Sequence, residues 1–149
     1  MRQVGTEDWL PATVPGGVHT DLLAAGRIPD PFVGDNERRV QWVAEADWQY
    51  VCTFEVEAET LAQDRVELVA DGLDTLAGVS LNGQVVGTAE NLFRQYRWDV
   101  KGLLKPGANT LQVDFASSVQ SCVTKQGERQ MFGVSQALPG GPYVRKAPC

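Results

Sequence analysis

Few side chains in this sequence have both the type and the spacing to carry chemistry. The one histidine, His19, could serve as a base only beside a nucleophile or a partner acid in a pocket, and its sequence neighbours supply neither. It reads instead as a loop histidine capping a short helical turn. Asp71 and Asp74 flank Gly72. Carboxylates so placed can ligate calcium, but aspartate beside glycine more often hydrogen-bonds nearby backbone amides, so a structural corner is the expectation. Cys52, Cys122 and Cys149 are an odd number, widely separated, with no CxxC pair. With a single histidine, that spacing argues against a zinc site and for reduced thiols. The four tryptophans, Trp9, Trp42, Trp48 and Trp98, could stack an indole face on the C–H groups of a pyranose ring or could simply be core. Trp48 and Trp98 alternate in register with other apolar residues and are expected in the core. Trp9 and Trp42 lie nearer loops, where packing on the flank of the fold or on a neighbouring domain is favoured over sugar contact. No metal site and no cofactor is implied.

The elements that must position these residues are mostly strands. Val66, Leu68 and Ala70 alternate with Glu67 and Val69, and Asp71-Gly72 ends the run. Ala77, Val79 and Leu81 mark one face of the next strand, and Asn82-Gly83 fits a two-residue type I′ turn, which needs φ > 0 at both central positions. Trp48, Tyr50, Cys52, Phe54 and Val56 share one face of an earlier strand, where Cys52 would act as a small core hydrophobe. Tyr96, Trp98 and Val100 alternate likewise, as do Leu111, Val113 and Phe115, with Pro106-Gly107-Ala108-Asn109 turning the chain between the two runs. From residue 9 to residue 36 prolines and glycines are dense. Inside that stretch residues 20–25 read as a short helix, with His19 or Thr20 as N-cap and Gly26 just past its end. Residues 117–149 read as a long excursion followed by a final strand near Tyr143-Val144. Five or more short strands with almost no helix argue for two packed antiparallel sheets, an all-β jelly-roll β-sandwich with one short helix, spanning residues 1–149 as a single domain.

Composition narrows the function classes. The chain of 149 residues is 43% hydrophobic and 21% charged, near the globular average, so a packed core is expected. Its formal charge of −6 and the absence of any basic cluster larger than a pair leave nothing to neutralise a row of phosphates, which excludes nucleic acid and anionic membranes as partners. The N-terminal residues lack an apolar signal-peptide core, so a cytoplasmic location is expected.

The wording of the motifs says more than their pattern. Asp71-Gly72-Leu73-Asp74-Thr75-Leu76-Ala77 running into Leu81-Asn82-Gly83 resembles the N-terminal domain of β-mannosidases in glycoside hydrolase family 2. Trp9-Leu10-Pro11-Ala12, Val14-Pro15-Gly16-Gly17, residues 28–37 (IPDPFVGDNE), Val40-Gln41-Trp42-Val43, Asp47-Trp48-Gln49-Tyr50, Asn91-Leu92-Phe93-Arg94-Gln95-Tyr96 and Arg145-Lys146-Ala147-Pro148-Cys149 continue the likeness in the family's order.

The resemblance implies a galactose-binding-domain-like sandwich from a much longer enzyme that hydrolyses terminal β-mannosyl residues with retention. Its catalytic glutamates would sit on a barrel outside this chain, and an edge strand would precede it. Retention needs two carboxyl groups roughly 5–5.5 Å apart, and no such pair can be defended here. Asn36-Glu37 imitates the family's acid/base dipeptide but lies in a Pro/Gly loop, so no catalytic residue is assigned in this chain. Arg145 and Lys146 precede the point where the family's substrate-contacting Gly-Trp-Asp-Trp segment would begin. They are candidates for the rim of the substrate site, with an interdomain salt bridge as the alternative. The implied partners are the remaining domains of the parent and its β-mannoside substrate. Trp9, Leu10, Phe32 and Trp42 are expected to be uncovered, and the fragment to self-associate through them. The rival readings are an autonomous carbohydrate-binding module and the same domain of a family 2 β-galactosidase or β-glucuronidase.

Overall fold

The computed structural model describes residues 1–128. They cluster into two compact units, one of residues 49–115 with Met1, the other of residues 2–48 with the chain from residue 116 onward. In chain order the elements are β1 (Arg2–Gln3), α1 (Val18–Ala24), α2 (Asn36–Arg39), α3 (Trp42–Glu45), β2 (Trp48–Val56), α4 (Ala58–Leu61), β3 (Glu67–Ala70), β4 (Leu76–Leu81), β5 (Gln84–Ala89), β6 (Tyr96–Asp99), β7 (Gly107–Ala116) and α5 (Ser118–Glu128).

The unit of residues 49–115 carries the sheets. One has its strands hydrogen-bonded in the order β2-β7-β4-β5, and β3 pairs with β6 in a second. Both pairings with a resolved register are antiparallel: Leu81 faces Gln84 across the β4–β5 hairpin, and Leu68 faces Trp98 across β3–β6. In β4 the expected alternation is present, with Ala77, Val79 and Leu81 buried between half-buried neighbours. Asn82 and Gly83 close the hairpin with φ of +51° and +79°, as the two central positions of a type I′ turn require. Gly83→Val should cost about 1–3 kcal/mol, because a β-branched residue at positive φ is strained even where space is open. An unchanged thermal midpoint for that variant would contradict the turn geometry.

A polar lattice ties this hairpin to the start of β7. The Asn82 side-chain amide donates to the Leu103 carbonyl and to Asn109 Oδ1, both at 2.8 Å, and its Oδ1 accepts from the Thr110 amide at 3.0 Å. Asn109 in turn donates to the carbonyls of Lys105 (2.7 Å) and Gly107 (2.8 Å) and accepts from the Lys105 amide. It is completely buried. Sequence alone marked 106–109 as a turn between two strands. The structure instead starts β7 at Gly107 and uses Asn109 as the interior pin of the turn.

The two sheets meet where Trp98 of β6 lies on Gly87 of β5. A Cβ built at Gly87 would sit 2.8 Å from Trp98 Cε2 and 3.0 Å from Cδ1, so only glycine lets the indole lie this close. Trp98 also stacks on Tyr96, with ring centroids 5.6 Å apart. It is half-buried rather than core, a correction to the sequence expectation: the alternation places it on one face of β6, and the sheet that carries it is only two strands wide. Gly87→Ala is expected to lose roughly 1–3 kcal/mol by overpacking, and adding Trp98→Ala should recover part of that loss. Fully additive losses in the double variant would rule out the contact as the cause.

Cys52 is a second correction. It is exposed, not core, because β2 is buried only at its ends, at Trp48 and Val56, while residues 51–53 are exposed on both faces of the strand.

In the other unit Leu22, Ile28, Val40, Val43 and Trp48 form the buried apolar set. Helix α1 begins two residues earlier than the sequence suggests, with Gly17 as N-cap. The Thr20 hydroxyl accepts from the Gly17 amide (3.2 Å) and donates to its carbonyl (2.6 Å), so Thr20 closes the first turn from inside and His19 is a helical residue, not the cap. Gly26, at φ +67°, follows the C-cap as expected.

The single expected helix becomes five α-helices among the described residues. Four of them have seven residues or fewer, too short to show a helical period, and α5 falls where a loop was expected. Its start is firmly built: Ser117 Oγ accepts from the Gln120 amide (3.1 Å) and donates to the Ala44 carbonyl (2.7 Å), while the Ser117 amide donates to Asp47 (2.6 Å). The expected strand near residues 143–144 lies outside the described residues.

Candidate functional site

In the unit of residues 2–48 and 116 onward a cavity of about 240 Å³ is lined by residues from the opening segment, α1 and α3, among them Gln3, Asp8, Leu22, Arg27, Trp42 and Trp48. The two tryptophans stand 6.0 Å apart at 41°, and the Trp48 indole N–H is committed to the Val43 carbonyl at 2.9 Å. Trp48 is therefore a fixed wall. Arg27 Nη2 reaches both oxygens of Asp8, at 2.8 and 3.0 Å. Both side chains are half exposed, so the pair is screened and worth about 0–1 kcal/mol. Such a cavity offers aromatic carbon and one ion pair. It can bind, but among the described residues Asp8 is its one lining carboxylate, so they supply no acid/base pair of the kind glycoside hydrolysis needs.

The other expected residues are dispersed. His19 is exposed on α1. Asn36 is committed to structure: its amide donates to the Asp30 carbonyl (2.9 Å) and its Oδ1 accepts from Arg39 (3.3 Å). Glu37 is exposed in the first turn of α2. Asp71 accepts from the Gln95 side-chain amide, and the Thr75 hydroxyl bonds to Asp74. Among the described residues no group of three or more His, Cys, Asp or Glu is placed to hold a metal ion. Trp9 is 45% and Trp42 39% exposed, Phe32 97%, and Leu10 is half-buried; the Arg2 guanidinium sits 4.6 Å above the Trp9 ring. Arg145 and Lys146 lie outside the described residues.

Sequence reasoning missed Asp21. It is buried in the first turn of α1, with Oδ1 accepting from the Thr13 amide at 3.1 Å and Oδ2 without a partner among the described residues. The signal was weak, since an aspartate early in a helix is ordinarily a solvated one.

Taken together, these features define an antiparallel two-sheet module with short helices on its connecting segments. The match that specifies it further covers residues 1–149, and the chain belongs to the glycosyl hydrolase 2 galactose-binding domain-like family. It is 42% identical over 153 aligned positions to β-mannosidase B of Thermothelomyces thermophilus, covering 99% of this chain and 18% of that protein. It is 38% identical over 130 positions to β-mannosidase A of Aspergillus aculeatus, covering 79% and 14%. Among solved structures, the β-D-mannosidase of Dictyoglomus thermophilum superposes with a TM-score of 0.87 at 37% identity, over 91% of this chain and 17% of that one. The chain thus spans less than a fifth of the length of these relatives.

Proposed function

We propose that this chain is the N-terminal, non-catalytic sandwich domain of a retaining β-mannosidase, where it packs on the catalytic part and helps shape the substrate pocket. The observation that carries this reading is the near-complete superposition on a β-mannosidase of which it fills only 17%. The carboxyl pair needed for retention then belongs to the remainder of the parent, and Arg145 and Lys146 to the rim of its substrate site. The parent should release nitrophenol from nitrophenyl β-mannoside in preference to the β-galactoside and β-glucuronide. Residues 1–149 alone should release none. Turnover by the fragment that survives purification and depends on Glu37 would overturn the assignment, and a parent that prefers the glucuronide would move it to another family 2 enzyme. Arg145→Ala in the parent should raise KM with little change in kcat if the side chain only binds; an unchanged KM returns Arg145 to an interdomain role.

The cavity walled by Trp42 and Trp48 supports a second reading, direct sugar binding by this domain. Calorimetry of methyl β-mannoside against the fragment and its Trp42→Ala variant separates the two, since the architectural reading expects no heat from either. With Trp9, Trp42 and Phe32 uncovered, the fragment alone is also expected to self-associate. Sedimentation velocity over a range of concentrations reads this directly, and a monomer at the highest concentration would refute it.

A further inference from the structure

Phe32 is 97% exposed and Val33 beside it 60%. A lone exposed apolar side chain needs no explanation, but this one is unusual in how firmly its backbone is held. The Phe32 amide donates to Asp30 Oδ1 (2.9 Å) and the Val33 amide to the Asp30 carbonyl (3.2 Å). That same carbonyl takes the Asn36 side-chain amide (2.9 Å), while the Asn36 backbone amide donates to the Val33 carbonyl (3.2 Å). Gly34 supplies the positive φ of +61° that folds the loop back into α2. The loop is thus closed on itself by bonds that require no partner, and it holds a phenyl ring out into solvent.

A side chain presented this way loses only its own rotamer freedom on docking, because the backbone is already ordered. Charges of both signs neighbour it in sequence, Asp30, Asp35 and Glu37 against Arg38 and Arg39, the composition of a polar rim around an apolar interface anchor.

We infer that the loop of residues 30–36 is an interdomain anchor, with Phe32 seated in an apolar pocket on the part of the same polypeptide that lies beyond residue 149. The inference rests on the proposed parentage. In the Dictyoglomus relative the matched region is 17% of the chain, so the occupant is covalently tethered and present at an effective concentration that a second copy in dilute solution does not match. Seating the ring is worth on the order of 10- to 100-fold in the docking equilibrium.

Hydroxyl-radical footprinting of the full-length parent tests this on the unaltered protein. The oxidation rate of Phe32 in the native enzyme should be roughly tenfold below its rate in the urea-unfolded chain, because the ring must leave its pocket to react. Protection should not depend on protein concentration or on added methyl β-mannoside. Oxidation at the unfolded rate overturns the inference; so does protection that appears only at high concentration, which assigns the surface to a second copy, or only with the sugar, which assigns it to ligand. In the Phe32→Ser parent, protease cleavage within residues 30–36 should be several-fold faster than in the wild type, and an unchanged rate counts against the anchor. The activity assay stands apart from both. A parent without β-mannosidase activity whose Phe32 is protected loses the activity reading and keeps the anchor, whereas an active parent with Phe32 oxidised freely does the reverse.

Discussion

Trp48→Ala is expected to lower stability by about 3–5 kcal/mol, the range for truncating a large buried aromatic side chain. The ring is 95% buried by its 5% relative exposure, faces Trp42 at 6.0 Å, and donates its N–H to the Val43 carbonyl. Truncation therefore enlarges the existing 240 Å³ cavity and orphans a backbone acceptor. Trp48→Phe separates these effects: it keeps most of the apolar contact and loses the hydrogen bond, for a cost nearer 1–3 kcal/mol. Urea unfolding of the two variants provides the comparison. Equal midpoints would mean that the hydrogen bond, not the packing, makes Trp48 important.

Asn109→Ala should be comparably severe, on the order of 3 kcal/mol or more, because each buried polar group left without a partner costs about 1–3 kcal/mol. The substitution removes one acceptor and two donors. It strips hydrogen bonds from the Lys105 amide, from the Lys105 and Gly107 carbonyls, and from the Asn82 side chain. Asn109→Asp tests the direction of the bonds: a carboxylate can still accept from Lys105 and Asn82 but cannot donate, so it should not restore wild-type stability. If alanine at 109 shifts the urea midpoint no more than alanine at an exposed position such as Thr110, the lattice is not holding the turn.

These two residues also show what was readable before the structure. Trp48 was legible because strand alternation is a local signal, and so was the Asn82-Gly83 turn, whose two residues alone determine its geometry. Asn109 was not. Its partners are Asn82, Lys105 and Gly107, and a polar residue after Pro-Gly-Ala looks solvated until the fold brings a second turn against it. Cys52 failed for the opposite reason, since period-two patterning says which residues share a face but not whether that face is covered. The start of α5 was readable in principle: Ser117 and Gln120 have the S-x-x-Q spacing of a capping box, although the glycines and prolines further on favoured a loop. Phe32 was named from its place in an irregular segment, but the hydrogen bonds that fix its loop depend on Asp30 and Asn36 turning inward, which no periodicity encodes.

The exposure of Cys52 on the open middle of β2 bears on how association of this chain must be measured. An accessible thiol can be oxidised to a sulfenic acid, which a thiol of a second molecule then condenses with to give a disulfide. Preparations kept in air would therefore accumulate covalent dimers joined through the sheet unit, on a residue outside the apolar segment of Trp9, Phe32 and Trp42. Such dimers survive dilution, whereas those formed by apolar contact do not. Sedimentation with and without reductant, or Cys52→Ser, tells the two populations apart, and the same thiol gives a single-site handle for attaching a spectroscopic label once Cys122 and Cys149 are replaced.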